Sequence, residues 1–300
     1  MKIGKNTWKK VPGMPAGNAY YCIFGSTDDL WHVGDAELET LESINRDSRN
    51  TGNKGWCGTE SWEEAYDLGA LRGWPDGARK MREMRSRINA LHLSLLGSRR
   101  KKIIKPVGSR VHIPRFVAGD HNHMFRYKKR RTGDGTHVRF GVECGMLGFV
   151  SAEQAANRGI AVAALLKVVE DTGISVDLIA LHTASCKGGI MTCAHRVKKA
   201  GSYMNDERIA MALAHPSTHR RGAFAIRELW DDEFEKMVGN GYGSTRPTPA
   251  EVLKQMGIDH HITTIHADSM NWGSPSDKEI VGWVLRQFEA ICTAKDIRAI

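Results

Sequence analysis

Three runs of lysine and arginine carry the plainest chemistry in this chain. Arg99, Arg100, Lys101, Lys102 and Lys105 form the first, Lys128, Lys129, Arg130 and Arg131 the second, and Arg196, Lys198 and Lys199 the third. No acidic residue interrupts any of them, so each is a local field that attracts phosphate, more weakly as salt rises. Taken singly, each is also what a solvated loop or an edge strand carries to discourage strand-to-strand association. The whole chain leans the same way, with 43 Lys and Arg against 34 Asp and Glu and a net charge of +9.

Histidine, with 13 copies, is the other candidate for chemistry. Asp120-His121-Asn122-His123 is the densest group, and two imidazoles with a carboxylate are zinc or transition-metal ligands. In an extended segment His121 and His123 share one face and Asp120 takes the other, so the three need a turn to meet one ion. Asp259-His260-His261, with His266 and Asp268, brackets a strand, and strand ends in α/β sheets are where sites form. Cys186, Cys193 and His195 offer three zinc ligands without a fourth, at a spacing too wide for a zinc knuckle. Gly239-Asn240-Gly241-Tyr242-Gly243-Ser244 lacks the preceding strand and following lysine of a phosphate loop. Neither a Gly-x-Ser-x-Gly elbow nor a His-Glu-x-x-His pair is present, and eight tryptophans are either buried or base-stacking. The expectation is no metal, no cofactor and no catalytic residue.

The elements that must position these groups follow from patterning. At 300 residues with 41% hydrophobic and 26% charged, the chain is long enough for one large domain or two modest ones and too apolar for disorder. It has no bilayer-length apolar run, and Met1 to Lys5 does not read as a signal peptide. Its six cysteines are scattered as reduced thiols would be, so the expected address is cytoplasmic.

Residues 1–58 are irregular except for the apolar run Ala19 to Phe24, a strand. Ser61 with Glu64 forms a capping box, and Gly73-Trp74-Pro75 ends that helix. Met81, Met84, Ile88, Leu91 and Leu95 then make one apolar stripe on a second helix. Beyond the first basic run and Pro106 the rhythm changes to strands alternating with capped helices. Strand 136–143, a helix opened by Ser151 and Gln154, and strand 174–181 make a βαβ unit. Cys193 to Lys198 is a further strand, Asn205 caps a helix ending before Pro216, and Pro216 opens another toward Val238. Thr248-Pro249-Ala250-Glu251 is a capping box with proline at the first helical position. Strand 262–265 and a helix capped by Ser276 and Glu279 close the pattern.

The stretch His137 to Leu181 resembles the opening of a von Willebrand factor A-type domain. In that family the loop after the first strand holds a divalent cation through Asp-x-Ser-x-Ser. The matching loop here, Glu143-Cys144-Gly145-Met146-Leu147-Gly148-Phe149, has one carboxylate, so the resemblance brings no metal site with it. Arg158-Gly159-Ile160-Ala161, Val197-Lys198-Lys199-Ala200-Gly201, Ala214-His215-Pro216, and Ser61-Trp62-Glu63-Glu64-Ala65 ahead of Gly73-Trp74-Pro75 are similar to segments of uncharacterised bacteriophage and mobile-element proteins. That likeness implies an origin and no activity.

The expected architecture is therefore α/β: a mainly helical N-terminal region over 1–105, then a doubly wound, von Willebrand A-like sheet over 106–300. The expected function is a non-enzymatic phage or mobile-element factor that binds nucleic acid through the three basic runs, with a phage or host protein as a further partner and no membrane. Two alternatives remain: a protein-interaction or assembly module, and a metal-dependent hydrolase or nuclease built on the His and Asp groups.

Overall fold

A computed structural model describes residues 8–12, 14, 18–38, 47–50, 52–92, 100–108, 110–129, 137–171, 174–186, 189–203, 205–229, 242–263 and 276–294. Two strands open the chain, β1 (Lys9–Val11) and β2 (Asn18–Phe24), followed by helix α1 (Thr27–Leu38) and the short helices α2 (Asp47–Asn50), α3 (Lys54–Cys57) and α4 (Trp62–Tyr66). A π-helical turn, Asp67–Arg72, leads to α5 (Pro75–His92). A small antiparallel unit comes next, with β3 (Arg100–Lys105), β4 (Arg110–Val111), α6 (Ile113–Val117) and β5 (Met124–Lys129). The βαβ unit is β6 (His137–Glu143), α7 (Ala152–Asp171) and β7 (Ser175–Cys186), and β7 is followed by β8 (Gly189–Lys198). The chain continues through α8 (Asp206–Ala214), a second π-helical turn Thr218–Ala223, α9 (Phe224–Glu228), β9 (Ser244–Thr245), α10 (Ala250–Gln255), β10 (His260–Ile262) and α11 (Asp277–Ala294).

The main sheet has the order β1-β2-β8-β7-β6-β10, with β9 pairing the far end of β7. It is mixed. β6 runs parallel to both β7 and β10, and β2 parallel to β8, while β7 and β8 form an antiparallel pair. Helices flank it. On one face Val138, Phe140 and Val142 of β6 and Leu178 and Ala180 of β7 pack with the buried middle of α7, with Met81 and Ile88 of α5, and with Trp283 and Ile291 of α11. On the other face Ile179, Leu181 and Ala194 meet Val252 and Met256 around α10. Period-two alternation in the strands produces this two-sided burial.

Elements from before residue 105 also pack with the main sheet. β2 lies against β8 from Asn18↔Gly189 to Phe24↔His195 and β1 against β2, so these two strands extend the sheet formed by β6, β7 and β8. α5 packs on α7 and α8 for the same reason: its apolar stripe has to be buried somewhere. The last strand also differs from its expected place, since β10 begins at His260. The capping boxes Ser151/Gln154 and Ser276/Glu279 close reciprocally. At Thr248 no box forms; Pro249 precedes α10 without a side-chain cap, and Thr248 is drawn inward to other partners.

Gly159 marks the closest approach of α7 to α8. A Cβ there would sit 2.3 Å from both Ala214 Cα and Leu213 O, backbone atoms that cannot swing aside. Gly159→Ala is expected to destabilise the fold by about 3 kcal/mol in urea unfolding through overpacking. Gly148→Ala, whose Cβ meets nothing within 4 Å, is expected to leave the midpoint within about 0.5 kcal/mol of wild type.

Candidate functional site

The small antiparallel unit brings the first two basic runs together. β3 pairs with β5 so that Arg100 faces Lys129 and Lys101 faces Lys128, with Lys102 opposite Tyr127; β4 covers the other edge of β5. Arg99, Arg130 and Arg131 lie outside the described residues. Residues 99–131 hold 12 of the 43 Lys and Arg and one of the 34 Asp and Glu, so the remainder of the chain is slightly acidic. That one acid, Asp120, accepts from Arg115 at 3.2 Å and from the Asn122 amide at 2.9 Å. His123 Nδ1 lies 2.7 Å from the Asp120 carbonyl. The Asp120 to His123 group is therefore a hydrogen-bonded turn, with its carboxylate already engaged. Beside it Val107, Ile113, Phe116 and Val117 expose apolar surface.

The third run behaves differently. Arg196 Nε lies 3.2 Å from Asp177, whose other oxygen accepts from Arg139 Nε at 2.7 Å. Lys198 is buried and pairs with Glu170 at 2.7 Å. Only Lys199 is exposed. Two of its three charges are thus matched within the fold, and the run sits at the carboxyl end of β8 rather than in the ribbon.

Sequence reading missed the main polar feature of the interior. Thr27 Oγ1 lies 3.1 Å from His195 Nδ1, His195 Nε2 lies 3.2 Å from His182 Nε2, and His182 Nδ1 lies 3.2 Å from His219 Nδ1. The three imidazoles stack in series, with centroids 5.3 Å apart at each step. A neutral imidazole has one donor and one acceptor, so the chain is satisfied with every donor pointing the same way. Burial drives all three toward the neutral form: His195 is pushed down to about 3, and His182 and His219 well below the ordinary range. For His182 the neighbouring imidazoles and Arg227 add to the effect, and for His219 Arg227, Arg220 and Arg158 do. None of the three reaches solvent, so none is placed to act as a base on a solvent-borne substrate.

On the opposite sheet face Glu143 ends β6 fully buried. Its Oε1 accepts from the Thr248 amide at 2.6 Å and sits 2.9 Å from His261 Nε2; Oε2 meets no hydrogen-bond partner among the described residues. Thr183 bridges Thr192 at 3.0 Å and Thr248. His260 packs edge-on against Phe140, while His266 and Asp268 lie outside the described residues. The proposed zinc ligands do not converge, because Cys193 pairs across from Cys22 and His195 belongs to the histidine series. Among the described residues no group of three or more His, Cys, Asp or Glu is arranged to hold a metal ion. Gly239 to Gly241 are outside the described residues, and Gly243, at φ 76°, forms part of the lead into β9.

Three arginines are buried in this part of the molecule, beside the apolar cluster of Met191, Met211, Ala225 and Ile226. Arg220 donates to the carbonyls of Trp56, Leu147 and Val150, Arg221 to Thr59, Ser48 and Arg49, and Arg227 to His182 and Tyr242. All three are at most 1% exposed.

A mixed α/β sheet flanked by helices, with a strongly basic antiparallel ribbon inserted before its βαβ unit, is the class these features define. The chain belongs to the family described as a domain of unknown function, DUF7192, whose model matches residues 8–293. The match spans residue 105 and runs from before β1 almost to the end of α11. No curated protein and no solved structure is significantly similar to the chain. Among the described residues no helix is long and apolar enough to cross a membrane.

Proposed function

We propose that the chain binds nucleic acid through the ribbon of β3 and β5, with Arg100, Lys101, Lys102, Lys105, Lys128 and Lys129 contacting phosphates; Arg99, Arg130 and Arg131 adjoin these in sequence. One observation carries this reading. Like charges face one another at two consecutive register positions, Arg100↔Lys129 and Lys101↔Lys128. Such pairs destabilise a sheet, and the one acid of the segment is occupied by Arg115. The two pairs lie on opposite faces of the ribbon, so a polyanion relieves the repulsion on the face it meets, and β-ribbons are an established way of meeting a nucleic-acid groove. The third run is left out, because Asp177 and Glu170 match two of its charges.

The test is a titration of single-stranded DNA, duplex DNA and RNA across salt. Five or six phosphate contacts give a log–log slope of about −4 to −6. Lys101→Glu is expected to reduce the slope magnitude by about 1 to 2 and to weaken every sequence alike. The same substitution places Glu opposite Lys128 and is expected to stabilise the free protein by about 0.5 kcal/mol. Absence of binding at low salt would discard the reading. The exposed Ile113, Phe116 and Val117 favour a second one, a protein partner on the same unit, which retention at high salt would identify.

The order β8-β7-β6-β10, with a hairpin on one side of β6 and a parallel strand on the other, supports kinship with von Willebrand A-type domains. β1 and β2 are additions to that plan. The short segments similar to bacteriophage and mobile-element proteins support such an origin.

A further inference from the structure

At the carboxyl ends of β2 and β8, parallel neighbours in the main sheet, the chain leaves a cavity of about 290 Å³. Ligands of open α/β sheets bind outside the carboxyl ends of strands, where the chain turns into helices. Here β2 turns through Gly25 and Ser26 into α1, and β8 turns through residues 199–205 into α8. Arg196, Lys198, Lys199 and Arg208 all line the cavity, and among the described residues no carboxylate does. Three of these cations have matched acids away from the lining: Asp177 for Arg196, Glu170 for Lys198 and Asp28 for Arg208. The exposed Lys199 ammonium has no side-chain partner among the described residues and is the uncompensated charge.

The wall that presents Lys199 is fixed. Gly201, at φ 79°, donates its amide to Ser175 Oγ at 2.8 Å, and the Ser202 hydroxyl donates to the Lys199 carbonyl at 2.6 Å. Both helices begin at the rim. Their first-turn amides are occupied by Ser26 Oγ and Asn205 Oδ1, and Asp28, Asp29, Asp206 and Glu207 in those turns offset the dipoles, so the helix starts add nothing to the attraction of an anion, which rests on the lining cations. Tyr203, 87% exposed, also lines the cavity and offers a bare aromatic face. An ordinary surface tyrosine needs no ligand; one standing beside an unmatched ammonium over a cation-lined cavity matches a phosphate carried on a planar ring.

We propose that this cavity binds the phosphate monoester of a nucleotide, Lys199 taking the phosphate and Tyr203 stacking on the base. The ligand is either a free mononucleotide or the 5′-phosphorylated end of a strand. This site is independent of the ribbon.

Isothermal titration of the full chain with AMP, UMP and adenosine tests the proposal. AMP or UMP is expected to bind at least tenfold more tightly than adenosine. Lys199→Glu is expected to weaken the nucleotide tenfold or more, and Tyr203→Ala three- to tenfold, with unchanged circular dichroism since both side chains are exposed. Lys102→Glu in the ribbon is expected to leave AMP affinity unaltered, which separates this site from the nucleic-acid surface. Tighter binding of AMP than of the 5′-phosphorylated dinucleotide pApA assigns the free mononucleotide; the reverse assigns the strand end. Failure of both AMP and UMP to bind at millimolar concentration, or equal affinity in Lys199→Glu, overturns the proposal and leaves the ribbon reading standing.

Discussion

Acidification from pH 7 to pH 5 is expected to unfold this protein. His182, His195 and His219 in the buried series, and His215 packed edge-on against Trp74, are all held neutral by burial, His195 near 3 and His215 near 4. In the unfolded chain each titrates near 6.5. Below that value the unfolded state takes up protons that the fold refuses, so stability is fully present above about pH 6.5 and is lost as pH falls toward the folded values. Four such groups together remove roughly 7 kcal/mol by pH 5, comparable with the whole stability of an ordinary domain. The arginines around the series keep their charge throughout and give an incoming proton no relief. Urea unfolding at half-unit pH steps measures it: the free energy is expected to fall by about 5 kcal/mol per pH unit near pH 5.5. In His215→Gln, which leaves the series intact, that slope is expected to drop by about a quarter. A profile flat to pH 5 would show that the imidazoles are not enclosed as described.

The second large effect is expected from Arg220. Its guanidinium reaches three carbonyls, one in α3 and two between β6 and α7, at 2.6 to 3.0 Å and lies 4.5 Å from the Trp56 ring, and burial lowers its pKa to about 10. Arg220→Ala leaves those carbonyls without donors and opens a cavity, a loss of about 3–5 kcal/mol. Arg220→Lys keeps the charge, but a single ammonium cannot span the fork, so about 2 kcal/mol is still expected to go. Arg79→Ala, an exposed residue paired with Asp76 and Glu83, is the control, expected to change stability by less than about 0.5 kcal/mol. Urea midpoints with unchanged m-values decide it; a loss under 1 kcal/mol for Arg220→Ala would mean that water replaces the guanidinium.

What could be read along the chain and what could not divide by range. Local signals survived folding: Ser151 with Gln154 and Ser276 with Glu279 close as their spacing demands, Asn205 caps α8, and Met81 and Ile88 are buried. The box at Thr248 did not form, because the buried Glu143 carboxylate takes its amide and Thr183 its hydroxyl. Pairings between distant segments were not legible. Nothing in Arg100 to Lys105, a run of low strand propensity, indicates that it will lie against Lys128 and Lys129. The histidine series was hidden for the same reason. His182, His195 and His219 meet only because the β7–β8 register and the turn after α8 bring them together. One clue was present: a histidine inside the apolar run Leu178 to Ala184, where an unpartnered imidazole would be unfavourable.

The pairing of β2 with β8 also sets an order of events during synthesis. β2 is made before its neighbour β8, which follows roughly 170 residues later, about 10–35 s of elongation at ~5–20 residues per second. Until then Tyr20-Tyr21-Cys22-Ile23-Phe24 is a sticky nascent segment that has β1 on one edge and lacks its β8 partner on the other. A cell producing this chain must shield that segment on the ribosome, and release of N-terminal fragments that stop short of residue 189 should yield aggregates rather than subdomains.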